Sequence, residues 1–241
     1  MLALKEVYCS YNQIKALRNI SLNIAKGEAV AFLGPNGSGK STLMKIINGI
    51  MFADKGSYYF DGNEITSKKM NDPAFSKNFH KRIGFLFQSS ETQLFCTSVY
   101  DEVAFGPRQM GLTEEEVDRR TIDSLKLLNL EDLKDRTPYH LSGGEKRKTA
   151  LASILVMNPD VLVLDEPMNG LDPKTKRFLS QLIIQLNRSG KTIICATHDF
   201  AYMEGVFNRA VVLSGEHTIA RDDEYKKVIS DEKFLLEHNI I

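Results

Sequence analysis

A chain of 241 residues carries 31 basic and 31 acidic side chains, for a formal charge of zero, with 42% hydrophobic and 26% charged residues. That length supports a full hydrophobic core in one large or two small domains, and the composition is that of a soluble globular protein. Proteins that hold nucleic acid by counterion release show a basic excess or stripe; here Lys and Arg are interspersed with Asp and Glu, which argues against a nucleic-acid partner. No apolar run reaches the roughly 20 residues that span a bilayer, and the N-terminus lacks the charged-then-apolar pattern of a signal peptide. No direct membrane insertion and a cytoplasmic location are therefore expected. Cys9, Cys96 and Cys195 are far apart, with no C-x-x-C pair, and read as reduced thiols rather than a disulfide or a metal site.

Residues 2–8 and 14–24 alternate apolar with polar side chains around a polar turn at Asn12, which predicts paired antiparallel strands. Tyr11 beside that turn is either a surface tyrosine or an aromatic face that stacks on a purine ring. Residues 30–33 form a short apolar strand that runs into Gly34-Pro35-Asn36-Gly37-Ser38-Gly39-Lys40-Ser41, a match to G-x-x-x-x-G-K-[ST]. Residues 42–50 follow with apolar side chains at helical spacing. Glycines allow positive φ and close approach, so successive N–H groups and the positive end of the helix can face phosphate oxygens. Lys40 then reaches the β- and γ-phosphates, and the Ser41 hydroxyl ligates Mg²⁺.

Residues 56–60 with Asp61-Gly62 read as a strand entering a tight turn, and residues 66–81 as a polar surface connection. Residues 82–87 are strand-like and end at Gln88, which is either a polar terminus or the start of a hinge. Residues 98–157 are mainly helical. Thr113 and Glu116 predict a capping box, followed by Val117, Ile122, Leu125 and Leu128 at helical spacing. At Leu141-Ser142-Gly143-Gly144-Glu145, Ser142 can cap a helix whose apolar face holds Leu151, Ile154 and Leu155. The turn is either a flexible cap or a second anion-binding helix N-terminus. One nucleotide does not need two such sites in one monomer; the economical arrangement is a dimer in which each chain's second site closes over the γ-phosphate held by the other's first.

Residues 161–164 are an apolar strand that ends in Asp165 and Glu166, placing both carboxylates at the carboxyl edge of the sheet, near the phosphate loop. Asp165 is suited to hold Mg²⁺ through water, and Glu166 to orient or deprotonate a water. Asn169-Gly170-Leu171-Asp172 is a turn; Asp172 caps a helix with Pro173 in first position, and that helix buries Phe178, Leu182, Ile183 and Leu186. A buried strand over residues 191–196 ends at Thr197-His198-Asp199, where His198 is either a structural hydrogen-bonder or a γ-phosphate contact. Residues 210–214 are a further sheet strand, a turn at Gly215-Glu216 leads to a short strand, and residues 222–230 and 231–238 read as helical pieces.

In order, these residues resemble the ATP-binding subunits of ABC transporters over nearly the whole chain. Tyr11 matches the family's adenine-stacking aromatic, residues 34–41 the Walker A motif and Gln88 the Q-loop. Residues 141–145 match the signature motif, 161–166 Walker B with its catalytic glutamate, 169–172 the D-loop and His198 the switch histidine. The resemblance implies an α/β fold, a P-loop NTPase ABC-type ATPase domain with an antiparallel β subdomain and a helical subdomain. Its core would lie over residues 1–88 and 158–220, its helical subdomain over 89–157 and a short helical tail over 221–241. It further implies ATP and Mg²⁺. Tyr11, Gly34, Pro35, Asn36, Gly37, Ser38, Gly39, Lys40, Ser41 and Thr42 of one chain would hold the nucleotide against Ser142, Gly143 and Gly144 of another. Ser41, Gln88 and Asp165 would place Mg²⁺, and Glu166, His198, Gln88 and Lys40 would act in hydrolysis. The implied partners are a second ATPase chain, identical or related, and integral membrane transporter subunits gripped near residues 88–110 at the cytoplasmic face.

Phe87-Gln88, Gln93-Leu94-Phe95, Val99, residues 101–107, Gly111-Leu112 and Lys146-Arg147-Lys148 are similar to the energy-coupling-factor group, which includes the cobalt and nickel importers' ATPases. The function implied is ATP-driven import of cobalt or nickel ions or of a vitamin. The alternative is a soluble ABC ATPase acting on ribosomes or DNA, although such proteins usually carry tandem nucleotide domains, coiled-coil insertions or basic arms. Met168 and Asn169 depart from the family's usual Thr and small Ser or Ala, which touches the coupling between sites. Glu145 replaces the more usual Gln. The chain is expected to lack the longer C-terminal extension of many relatives.

Overall fold

The computed structural model describes residues 1–12 and 14–241. Strands β1 (Leu2–Tyr11) and β2 (Ile14–Ile24) pair antiparallel, with Leu2 opposite Ile24 and Leu4 opposite Leu22, so their alternate apolar side chains share one buried face. The first strand of the central sheet, β3 (Ala29–Leu33), follows and is buried throughout. After helix α1 (Lys40–Ile47), β4 (Lys55–Phe60) pairs with the other edge of β1 and turns at Asp61-Gly62 into β5 (Asn63–Glu64). These strands make a sheet of order β2-β1-β4-β5.

Residues 66–81, which the sequence reads as a polar surface connection with no element assigned, are largely helical. They form α2 (Ser67–Met70) and α3 (Pro73–Arg82). Thr66 accepts from the Lys69 amide, and Asp72 accepts from the Ala74 and Phe75 amides ahead of Pro73, a strong start signal at the head of a mostly polar segment. Phe79 anchors α3: it is 4% exposed, and its ring meets Phe60 edge to face at 5.5 Å.

The chain then enters the central sheet at β6 (Ile83–Leu86). It leaves through a 3₁₀ turn (Ser90–Thr92), α4 (Val99–Gln109), α5 (Glu114–Leu127) and α6 (Gly143–Leu155), and returns at β7 (Val161–Asp165). At α5 only half of the predicted capping box forms. Thr113 accepts from the Glu116 amide, but the Glu116 carboxylate turns to Arg119 and Arg120, one turn ahead. A charged partner outcompetes a backbone amide for that carboxylate.

Helix α7 (Pro173–Arg188), β8 (Thr192–Ala196), β9 (Arg209–Leu213) and β10 (Ile219–Glu224) complete the central sheet, of order β10-β9-β3-β8-β7-β6. Its pairs are parallel except β10 with β9. Residues 222–224, expected to be helical, belong to β10, because the Arg209 guanidinium grips both Asp222 oxygens at 2.6 and 2.7 Å from the neighbouring strand. The tail ends in α8 (Tyr225–Ile229) and α9 (Glu232–Glu237).

The central sheet separates two apolar cores, and the period-2 alternation of its strands decides which residue feeds which. Val30, Phe32, Val161 and Val163 face α1 and the antiparallel sheet. Ala31, Leu33, Leu162 and Leu164 face α4 to α8. Buried on both faces, β3, β7 and β8 read as continuous apolar runs. Among the described residues no helix is long and apolar enough to cross a membrane.

Candidate functional site

Parallel pairing brings the carboxyl ends of β3, β6, β7 and β8 to one edge, and there the sheet opens into a cavity of about 390 Å³. Asn36 to Thr42 line one side, Gln88, Asp165, Glu166 and His198 another, and Tyr11, Ile14, Lys15, Ala16 and His217 the rim. Residues far apart in sequence thus converge where the spacing predicts. Gly34 and Pro35 form the base of the loop and do not line the cavity.

Two loop glycines are fixed by space as well as by conformation. A Cβ on Gly34 (φ 137°) would meet the Leu213 carbonyl at 2.3 Å, and one on Gly39 (φ 104°) the Ala16 carbonyl at 2.2 Å. Backbone from β9 and β2 therefore presses the loop into shape. Lys40, 9% exposed, donates to the Gly34 and Pro35 carbonyls at 2.6 and 3.0 Å. Burial lowers its pKa, partly offset by Glu166 and Asp165. The Ser38 hydroxyl is buried and has no hydrogen-bond partner, an acceptor-and-donor left over inside the loop.

Both carboxylates at the end of β7, Asp165 and Glu166, are buried, and burial is the main reason each is pushed above its ordinary pKa. For Asp165 the Ser41 hydroxyl and then Lys40, Lys45 and Arg147 pull the other way. For Glu166, His198 and then Lys40 pull the other way, while Asp165 adds to the rise. Glu166 has left-handed backbone (φ 46°), an uncommon conformation for a non-glycine residue, held by its amide donating to the Ala196 carbonyl at 3.0 Å. One carboxylate oxygen accepts from the His198 amide, and the other lies 3.3 Å from His198 Nε2.

Gln88 is exposed at the end of β6. Its backbone is fastened by a residue that the sequence offers only within Lys146-Arg147-Lys148, with no role assigned to it. Arg147 on α6, 5% exposed, donates from its two terminal nitrogens to the Phe87 and Gln88 carbonyls at 2.7 and 2.6 Å. Gln93 adds a second tie, accepting from the Phe87 amide and donating to the Ala150 carbonyl. The signal for Arg147 was present: the apolar stripe Leu151, Ile154, Leu155 extended back one turn lands on it. Tyr11 is 43% exposed at the rim, its hydroxyl on the Met51 sulfur.

Ser142, Gly143 and Gly144 do not line the cavity. Ser142 and Glu145 form a full reciprocal capping box, which was not predicted; the Glu145 carboxylate accepts from the Ser142 amide at 2.8 Å. Ser142 and Gly143 are exposed. Gly144 abuts the start of α7, where a Cβ would lie 3.4 Å from Thr175 Oγ1. Met168, one of the departures from the family pattern, is fully buried in the core beneath α7.

A wound loop of amides, a buried lysine, a strand-end carboxylate pair and a histidine around one cavity at the carboxyl edge of a parallel sheet define a phosphate-loop nucleotide hydrolase. Residues 17–169 match the family described as ABC transporter, and the chain belongs to it: it is an ABC ATPase, and its nucleotide is ATP. A putative ABC transporter ATP-binding protein of Clostridium acetobutylicum is 60% identical over the full length of both chains. The nickel import ATP-binding protein LarO of Lactiplantibacillus plantarum is 40% identical over 92% of each chain. The energy-coupling factor transporter ATP-binding protein EcfA of Methanococcus maripaludis is 40% identical over 93% of this chain and 79% of its own. Among solved structures, dimeric MJ0796 bound to ADP and Pi superposes with a TM-score of 0.85 at 31% identity, covering 93% of this chain and 98% of that one. For cbiO1 of Clostridium perfringens, part of the transporter complex cbiONQ, the TM-score is 0.83 at 35% identity, over 99% and 94%. Cassettes of this family form dimers and work with membrane transporter components.

Proposed function

We propose that the chain hydrolyses MgATP in a head-to-tail dimer to power import through an energy-coupling-factor type transporter, at the cytoplasmic face of the membrane. The carrying observation is a split. One cavity unites Lys40, Gln88, Asp165, Glu166 and His198, while the turn Ser142-Gly143-Gly144, exposed at Ser142 and Gly143, lies outside it and is left for the nucleotide of a second chain, identical or related.

The loop amides and Lys40 hold phosphate charge, Lys40 exchanging its Gly34 and Pro35 carbonyl partners for phosphate oxygens. Ser41, Asp165 and Gln88 offer a hydroxyl, a carboxylate and an amide oxygen, hard donors few enough to suit Mg²⁺, which keeps waters and phosphate oxygens as its other ligands. The Ser41 hydroxyl already faces Asp165, and the orphaned Ser38 hydroxyl leaves the loop short of one polar partner that a phosphate supplies. When bound, Mg²⁺ neutralises charge developing on the phosphates. Glu166 orients the attacking water and takes its proton while His198 holds the γ-phosphate. The water oxygen bonds to phosphorus as the bridging oxygen leaves, giving ADP and phosphate. Tyr11 stacks on the adenine.

The membrane partner is proposed to dock near residues 88–110. Phe95 (66% exposed) and Phe105 (42%) meet edge to face at 4.9 Å beside a cavity of about 340 Å³ that also reaches Tyr139 and Lys146. The cargo is proposed to be a nickel or cobalt ion, or a vitamin; the relative named for nickel import supports the metal-ion reading, and the one named for energy coupling supports the type of transporter. Isolation of the tagged chain from detergent-solubilised membranes tests this reading. Integral membrane subunits should copurify with it; salt-sensitive copurification with ribosomes or DNA instead would overturn it.

A further inference from the structure

His198 touches Glu166 on one side, and the residue that follows it is fastened to α7. Lys176 Nζ lies 2.6 Å from Asp199 Oδ1, with the two side chains only 18% and 23% exposed, so solvent screens this pair less than an ordinary surface bridge. The same ammonium stands 5.2 Å from the centroid of the Tyr202 ring, in the 3₁₀ turn (Phe200–Tyr202) that Asp199 starts. Asp199 is held from the backbone as well: its amide donates to the buried Thr197 hydroxyl at 3.0 Å, and its carbonyl accepts from the Tyr202 amide. One cation on α7 therefore ties down both Asp199 and the turn behind it, directly after His198.

The helix that carries Lys176 starts in a fixed place. Asp172 caps it through the Lys174 and Thr175 amides, and Thr175 faces Gly144 of the signature turn. Glu166, in left-handed backbone, has its amide on the Ala196 carbonyl, at the end of the same strand that leads to His198. The geometry of the Glu166–His198 contact is thus set by the chain path through residues 196–199, and Lys176 is the side chain that clamps its far end.

We infer that Lys176 is a positioning residue for hydrolysis. Through Asp199 it fixes the backbone that carries His198, keeping the ring at Glu166 and at the γ-phosphate, without touching the nucleotide itself. The inference rests on Glu166 and His198 acting as proposed above.

The test is steady-state ATP hydrolysis and ATP binding by Lys176→Met, Lys176→Arg, Asp199→Asn and the double variant Lys176→Met/Asp199→Asn, with Glu166→Gln as reference and melting curves for all. Loss of the clamp should lower kcat about 10- to 100-fold with KM and the ATP Kd within about threefold, since misplacement by about 1 Å costs chemistry more than binding. Lys176→Arg should recover kcat to within about threefold, and the double variant should lose no more than either single one, as expected of one shared interaction. If Lys176→Met does not fold, the isosteric Asp199→Asn decides. Wild-type kcat in Lys176→Met or Asp199→Asn alongside an inactive Glu166→Gln would overturn this inference alone; so would a fall in kcat matched by an equal weakening of ATP binding. Wild-type turnover by Glu166→Gln would instead remove the reading on which it rests.

Discussion

Arg147 holds the carbonyls of Phe87 and Gln88 in one guanidinium fork, joining α6 to the end of β6 where Gln88 enters the cavity. The helix that begins at Ser142-Gly143-Gly144 is thereby bonded to the loop that lines the cavity. Arg147→Met should leave both carbonyls without this partner in a partly buried setting and cost about 1–3 kcal/mol for each one that finds no water. Arg147→Lys should recover only part, because an ammonium lacks the planar fork that spans two acceptors. Denaturant unfolding of the three proteins checks this; equal midpoints would contradict it.

The glycines of the phosphate loop should separate by what surrounds them. Gly39→Ala carries both a positive φ and a Cβ that collides with the Ala16 carbonyl, whereas Gly37→Ala has the positive φ (81°) and open space. Gly37→Ala should therefore cost about 1–3 kcal/mol of backbone strain, and Gly39→Ala more, with loss of ATP binding. Melting temperatures and nucleotide titrations distinguish the two.

Burial raises the Glu166 pKa above its ordinary value of 4.5, so ionised Glu166 weakens the fold. Glu166→Gln should be more heat-stable than the parent at any pH above the raised folded value, where the carboxylate is ionised in both folded and unfolded chains and the folded one bears the desolvation. The difference should shrink as pH falls from the raised folded value towards 4.5, and vanish below it. Calorimetry across that range checks the sign.

The same shift predicts the acid limb of the activity. With Glu166 required as the base, kcat should fall on acidification at a pH above the ordinary carboxylate range, because the proton returns to Glu166 earlier than to an exposed carboxylate. A pH–kcat profile flat down to that ordinary range would contradict the role.

Much of this was legible in the sequence. The alternation of residues 2–8 and 14–24, the continuous apolar runs of β3, β7 and β8, and the loop from Gly34 to Ser41 each have a local physical signature; the structure has strands at those places, and the helix read over residues 42–50 runs from Lys40 to Ile47. The helices over residues 67–82 were missed because α3 has only one buried anchor, Phe79, in an otherwise polar segment. The strand that replaced a helix at residues 222–224 depends on Arg209 of another strand, a contact no local pattern reports. The site itself divides the same way. Strand-end positions of Asp165, Glu166 and His198 follow from periodicity, whereas periodicity reports at most that Arg147 faces inward, and the partners of Arg147 and Lys176, 59 and 23 residues away, become visible only in three dimensions.

Hydrolysis by Glu166→Gln, measured beside its ATP binding, tests the central claim most directly. The variant should bind ATP as the parent does and lose about 10²- to 10⁴-fold in turnover, the contribution of a positioned general base. Turnover at the parent's rate with ATP bound would contradict the assignment of Glu166, and with it the reading of the cavity as a hydrolytic site built on that carboxylate.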